Sequence, residues 1–340
     1  MNLHRREFLQ RASGVLIPAI SVAAATCFAG ATRDLMSKPK TLAQEYLSIE
    51  SAIGASDADA NELAAVVRRI LTRIQPFVTR LNLLGLRNWE AIHLLNQIGG
   101  SLNQEGFRFG AKSTLMCTSL RTRILACHYA ACLVYAVGED IGLPLSMLKV
   151  PSHVFLRLRL ENGTDLNWDI YLTGNGITAD DNYYRQLFRI DTTTAKRGGY
   201  LCNMTRNEML ALEYNGLGVA WMLNQEWDRA LASFSDAIAL DPRLSEAFKN
   251  CGCAKFDRAA AATHVNDLDQ RQNLCSAIAD LQEAVKINKN YHEALYTLGQ
   301  AYFSLNELDA AREFLNAAKM INACYGNSPL SLAVNAVNRK

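Results

Sequence analysis

The chain has 340 residues, 49% of them hydrophobic and 20% charged, which is ordinary globular composition with length enough for two cored domains. That excludes a disordered or low-complexity protein. The formal net charge of +2 comes from 35 basic and 33 acidic residues with no basic stripe, so there is no electrostatic case for nucleic acid or for an anionic membrane surface.

In chain order, residues 1–31 stand apart. HRREFLQ resembles the twin-arginine export motif, and the apolar run Gly14–Ala31 ends in Ala29-Gly30-Ala31, a small-x-small cleavage pattern. The expectation is a removed signal peptide over 1–31 and a periplasmic or otherwise exported protein. The alternative is an uncleaved anchor, which Pro18 and the small-residue ending disfavour. Removal takes away Arg5, Arg6, Arg11 and Glu7, leaving 32 residues of each sign. No membrane span remains after it. Eight of the nine cysteines also remain, and in an oxidising compartment disulfides persist, although spacing alone leaves their pairing open. Cys251 and Cys253 form a C-x-C with no second pair at metal-ligand spacing, and both Cys251 and Cys132 read as packed small hydrophobes. Neither a metal nor a cofactor is implied.

Residues 41–53 and 60–103 are helix-patterned, with Pro76 as a kink and Gly99-Gly100 as a stop. From Cys127 the apolar positions Ala131, Val134, Val137 and Ile141 recur at helical spacing until Gly142 and Pro144 end the run. Cys127 therefore sits in the first turn of a helix, where the dipole favours thiolate, the nucleophilic form. His128, next to it, reads as a surface or helix-start residue.

Parity decides the pairing of residues 153–172. Val154, Leu156, Leu158 and Leu160 fall on one face of a strand, and His153, Phe155, Arg157 and Arg159 on the other. On the return strand Leu166, Trp168, Ile170 and Leu172 share a face opposite Asn167 and Asp169. A two-residue Asn162-Gly163 turn would put Asp169 on the wrong side from His153. A three-residue loop of Glu161, Asn162 and left-handed Gly163 sets Leu160 opposite Thr164 and Phe155 opposite Asp169, with His153 as Asp169's diagonal neighbour. Arg157 and Arg159 read as a solvated hairpin face.

These residues resemble the core of the transglutaminase-like cysteine hydrolases of the papain-like superfamily. Cys127, Ala131, Leu133, Gly142, Leu143 and Pro144 match that family's pattern in register, and LNQEGFRFG at 102–110 is similar to the segment before the cysteine helix in bacterial members. The resemblance covers roughly residues 60–175. It implies that Cys127 is the nucleophile, that His153 is the base and that Asp169 orients it. It assigns no oxyanion-hole side chain, and Ala126 departs from the glycine-valine approach usual before the cysteine.

After a short helix over 180–190, Arg197-Gly198-Gly199 reads as a linker. A capping box, Thr205 to Glu208, opens a repetitive region. Tyr214, Leu217, Gly218, Trp221, Ala230, Phe234, Ala237 and Pro242 are spaced as in a roughly 34-residue tetratricopeptide repeat. A second copy has Phe248, Cys251, Gly252, Lys255, Ala277, Leu281 and Ala284. A third has Leu295, Leu298, Gly299, Tyr302, Ala311, Leu315 and Ala318. The second copy is about thirteen residues too long, which puts an insertion near 257–273 between its helices.

The expected fold is thus α+β. A papain/transglutaminase-like domain over 32–200, with N-terminal helices and a cysteine helix packed on a small antiparallel sheet, precedes an all-α repeat solenoid over 205–324 and a tail over 325–340. Two functions fit. One is an exported thiol hydrolase or acyl transferase acting on an amide or peptide bond through Cys127, His153 and Asp169, its repeats recruiting a protein partner or substrate. The other is a catalytically inactive relative whose repeats make it a protein-interaction scaffold.

Overall fold

A computed structural model describes residues 39–110, 115–170, 176–261, 267–328 and 330. The expected signal over 1–31 lies outside them. So do residues 262–266, the middle of the expected insertion, and the tail beyond residue 330.

The first helix among the described residues, α1 (Leu42–Glu50), opens on a capping box in which Thr41 accepts from the Gln44 amide and Gln44 accepts from the Thr41 amide. It is followed by α2 (Asp57–Val78) and α3 (Asn88–Gln104). The break expected at Gly99-Gly100 falls instead at 79–87, and α3 runs through both glycines. Gly99 is an approach point: a Cβ there would lie 2.9 Å from Ile170 Cδ1 and 3.2 Å from Trp168 Cη2. Pro76 does not kink a longer helix either. It sits in the last turn of α2, where its missing N–H removes one bond of a ladder about to end.

Two short strands, β1 (Arg108–Phe109) and β2 (Ile124–Leu125), pair in parallel and flank α4 (Met116–Thr122). The next helix, α5 (Cys127–Ile141), ends at Gly142 with φ +73°, a left-handed cap. Behind it is an antiparallel sheet in the order β3 (Leu145–Val150), β4 (His153–Arg159), β5 (Asp165–Asp169) and β6 (Ile177–Thr178). Met147, Val154, Leu156, Leu158 and Trp168 join α5 in one core. Leu148, Val150 and Phe155, on the other face, pack with Tyr184 of α6 (Asp181–Leu187) and with Ile190, Tyr200 and Leu201.

The hairpin has the loop that parity demands. Leu156 faces Trp168 and Leu158 faces Leu166, the Leu160 amide donates to Thr164 O at 2.9 Å, and Gly163 has φ +78°. The expected linker is different. Gly198 ends α7 (Thr192–Gly198) packed so tightly under Tyr200 that a Cβ would come within 2.3 Å of its ring, and Gly199 takes φ +61°. Beyond it the Leu201 amide donates to Lys149 O and the Met204 amide to Met147 O, so the segment continues the sheet along β3. The paired glycines serve close packing there.

The periodic region consists of three helix pairs: α8 (Arg206–Leu223) with α9 (Trp227–Leu240), α10 (Ser245–Ala261) with α11 (Asp267–Ile287), and α12 (His292–Ser304) with α13 (Leu308–Ile321). One device recurs in each. A Cβ on Gly218 would meet Phe234 at 2.5 Å, on Gly252 Leu281 at 2.7 Å, and on Gly299 Leu315 at 2.6 Å. Each glycine lets the second helix of its pair seat a large side chain against the first. Ala230, Ala277 and Ala311 are fully buried beside them. The extra residues of the second pair lengthen both of its helices.

From Lys40 onward the chain forms one unit. Tyr46 Oη donates to Met209 O at 2.8 Å, Arg206 bridges Glu45 and Glu139 at 2.8 Å each, and Lys149 pairs with Asp241, both buried. Breaking such a buried pair on one side costs about 3–5 kcal/mol. No helix among the described residues is long and apolar enough to cross a membrane.

Candidate functional site

Cys127 is the first residue of α5. The residue before it, Ala126, is extended at φ −72° and ψ 164° and offers no side-chain cap. Cβ atoms tilt toward a helix N-terminus, which aims the side chains of Cys127 and His128 over that end. Both are half-buried.

β4 begins at His153, directly after Ser152, a non-glycine residue at φ +58°. Its strained turn is held from the repeats, because the Ser152 amide donates to Glu246 Oε1 at 2.8 Å. Asp169 closes β5. His153 Nε2 lies 2.6 Å from Asp169 Oδ2, and both side chains are buried. The His153 ring also interacts electrostatically with the Cys127 thiol. The imidazole stacks on Phe188 at 5.7 Å and on Phe155 at 6.4 Å between centroids, and Phe155 stacks in turn on Tyr184 at 4.0 Å. Tyr184 Oη donates to Asp169 Oδ2 at 3.3 Å.

Electrostatics follow from this frame. Burial alone would raise the Cys127 thiol, but the neighbouring His128 and His153 imidazoles overcome it and bring it down to about 6. Burial alone would lower His153, but Asp169 and Cys127 hold it up at about 9. Between those values a thiolate faces an imidazolium. Such a pair is nucleophilic toward a carbonyl carbon and carries a proton for a leaving group.

The structure brings together the three residues that the sequence singled out. His128, expected as a surface or helix-start residue, is the second residue of α5 and half-buried with its ring on Tyr129. One residue was missed. Tyr184, invisible to parity, reaches Asp169 from α6. Arg157 is also corrected: it is not solvated but held by Asn167 Oδ1 at 2.7 Å, by Asp181 and by Leu201 O at 3.3 Å. Arg159 remains exposed against Asp165. A cleft of about 530 Å³ lined by Pro144, Ser146, Arg157, Arg159, Asp165 and Asn203 opens further along this sheet face and contains none of the three residues.

Cys132 and Cys251 are buried, and burial pushes both thiols up. All eight cysteines among the described residues are free thiols. Among those residues no group of three His, Cys, Asp or Glu side chains is placed to hold a metal ion.

No curated protein matches the chain. The Arabidopsis OM64 TPR domain is 16% identical, over 38% of this chain and 93% of that one, at a TM-score of 0.32. The first TPR domain of Spaghetti (RPAP3), bound to the HSP90 peptide SRMEEVD, is 18% identical over 39% and 93%, at 0.33. Menin, described with its binding site for Mixed Lineage Leukemia (MLL) protein, is 12% identical over 85% and 68%, at 0.38. Residues 270–323, spanning α11 to α13, match the tetratricopeptide repeat family, whose presence suggests protein–protein interaction.

Proposed function

We propose that the protein is an exported, transglutaminase-like thiol hydrolase or acyl transferase acting on an amide or peptide bond, with its repeats recruiting a protein partner or substrate. The observation that carries this reading is the 2.6 Å contact of His153 Nε2 with Asp169 Oδ2 beside a thiol held at about 6 in the first turn of a helix. Cys127 Sγ attacks the amide carbon. The His153 imidazolium gives its proton to the departing amine, leaving a thioester on Cys127 and a neutral imidazole. That imidazole then takes a proton from water or from an acceptor amine, whose attack releases the acyl group and restores the thiolate. Asp169 holds the ring with Nε2 toward the carboxylate and stabilises its positive form.

Labelling the folded protein with a fluorescent iodoacetamide at pH 7 tests this. Cys127→Ser abolishes the fast label, and Cys132→Ser, which removes a buried thiol, leaves it unchanged. A wild-type label no faster than that of a free thiol removes the enzyme reading and leaves an interaction role for the repeats. Export is tested separately: Arg5→Lys with Arg6→Lys retains precursor in the cytoplasm, and unchanged mature protein outside the inner membrane refutes that route.

A further inference from the structure

β3 and β4 are joined by only Pro151 and Ser152, because Val150 pairs directly with His153. A proline, whose ring fixes a negative φ, followed by a residue at φ +58° has the sign pattern of a type II turn. Such a turn ordinarily takes glycine or asparagine in its second place, and its twist suits a two-residue hairpin poorly. Ser152 is neither residue, so the turn needs support from outside. That support comes from the second helix pair. Glu246, in the first turn of α10, accepts from the Ser152 amide through Oε1 at 2.8 Å and from Ser245 Oγ through Oε2 at 3.0 Å. Ser245 Oγ in turn lies 2.9 Å from Tyr200 Oη. On the β3 side of the turn, buried Lys149 pairs with Asp241, which closes α9. We propose that Glu246 is a positioning residue for the thiol chemistry: by holding the Ser152 amide it fixes the first residue of β4 and so sets the His153 imidazole against Asp169 and Cys127.

The inference rests on Cys127 being the nucleophile with His153 as its base. Of the three reacting residues, His153 alone adjoins the strained turn, so a change at Ser152 reaches it first. A misplacement of about 1 Å can cost on the order of 100-fold in rate. Glu246 touches no reacting atom and moves no proton. The reacting side chains all come from residues 127–169, yet their geometry is completed by a residue of the repeats.

The test measures the iodoacetamide rate of the full-length protein against pH. In the wild type the rate rises through about 6 as the thiolate forms. Glu246→Ala releases the turn and moves that limb up by about one pH unit, an approximately tenfold slower label at pH 5. Loss of the negative charge alone would move it down, because a more distant carboxylate favours thiolate. Glu246→Gln keeps an acceptor oxygen and recovers most of the shift. Ser152→Gly added to Glu246→Ala recovers it too, since glycine takes φ +58° without a tether and Ser152 is exposed. A contact that served stability alone would lower the melting temperature of the alanine variant and leave its limb at about 6. That result, with Cys127→Ser abolishing the label, overturns the role of Glu246 and leaves the nucleophile standing. A limb raised equally by alanine and glutamine also overturns it, and a label indifferent to Cys127→Ser overturns both readings. Circular dichroism on each variant separates loss of fold from loss of thiolate. If the alanine variant unfolds, Glu246→Asp, whose carboxylate is one methylene shorter in reach, carries the test.

Discussion

Burial acts in opposite senses on two clusters of ionisable side chains in this protein. Around Cys127, groups of opposite charge meet, so the thiol goes down, the imidazole goes up, and the cluster holds a separated charge pair near neutral pH. Behind it, Glu213 of α8 is fully buried beside Glu50 of α1 and Tyr129 of α5. There burial and the nearby Glu50 carboxyl both raise Glu213, so a proton is held instead of a charge. Glu50 spends its two oxygens on the Met116 and Cys117 amides, the first of α4. The first cluster lies where solvent reaches half-buried Cys127 and can react. The second joins three elements of the N-terminal half to the first repeat, and its chemistry is purely that of stability.

The largest effect should therefore come from the cluster without reactivity. Glu50→Ala strips two buried amides of their acceptor and opens a hole beside Glu213, at a cost of about 3–5 kcal/mol, which equilibrium denaturation reads directly. A loss below about 1 kcal/mol would mean that water replaces the carboxylate, and the contrast between the clusters would dissolve.

That contrast also explains what was legible in the sequence. The repeats were readable because their glycines and alanines return at a fixed period, and each return is the same packing event, Gly218 under Phe234 or Gly299 under Leu315. The hairpin was readable because a period of two leaves no freedom: one residue more or less in the loop moves Asp169 to the other face. Cys127, His153 and Asp169 were reached by adding a family resemblance to that parity. Gly99, Gly198 and Gly199 were misread because a glycine that admits Trp168 or Tyr200 looks, one-dimensionally, like a glycine that ends a helix or loosens a linker. Glu50 and Glu213 drew no notice, since nothing local marks a glutamate whose partners lie on two other helices.

A middle-sized effect separates the clusters by pH. Glu213 has its folded value raised above the roughly 4.3 of an unfolded glutamate, so its neutral form contributes stability that is fully present below that pH and is lost as pH rises toward the folded value. Tyr46, Cys117, Tyr129 and Cys132, which face the same cluster, are all raised as well and offer no positive charge to relieve it. Glu213→Gln cannot ionise and escapes the loss. Near pH 4 it should match the wild type, and above that it should gain about 1.4 kcal/mol per pH unit until the folded value is reached. Parallel stability curves for the two proteins would show that Glu213 is charged in the fold.

The smallest effect belongs to the reactive cluster, where it sharpens the comparison. Tyr184→Phe removes the hydroxyl that reaches Asp169 at 3.3 Å and keeps the ring stacked on Phe155, so stability should fall by no more than about 1 kcal/mol. Its value lies in the sign of what happens to His153. The tyrosine hydroxyl draws on the same carboxylate oxygen as the imidazole, Oδ2. Without it, Asp169 commits more fully to the imidazolium, and the upper limb of the pH profile, at about 9 in the wild type, should move up by less than one unit. Asp169→Asn removes the charge itself and should move the same limb down. Opposite shifts from two substitutions that touch one oxygen are what a charge-sharing network requires. If both variants lower the limb together, Tyr184 acts by holding Asp169 in place, and the cluster is tuned by packing instead of by competition for its carboxylate.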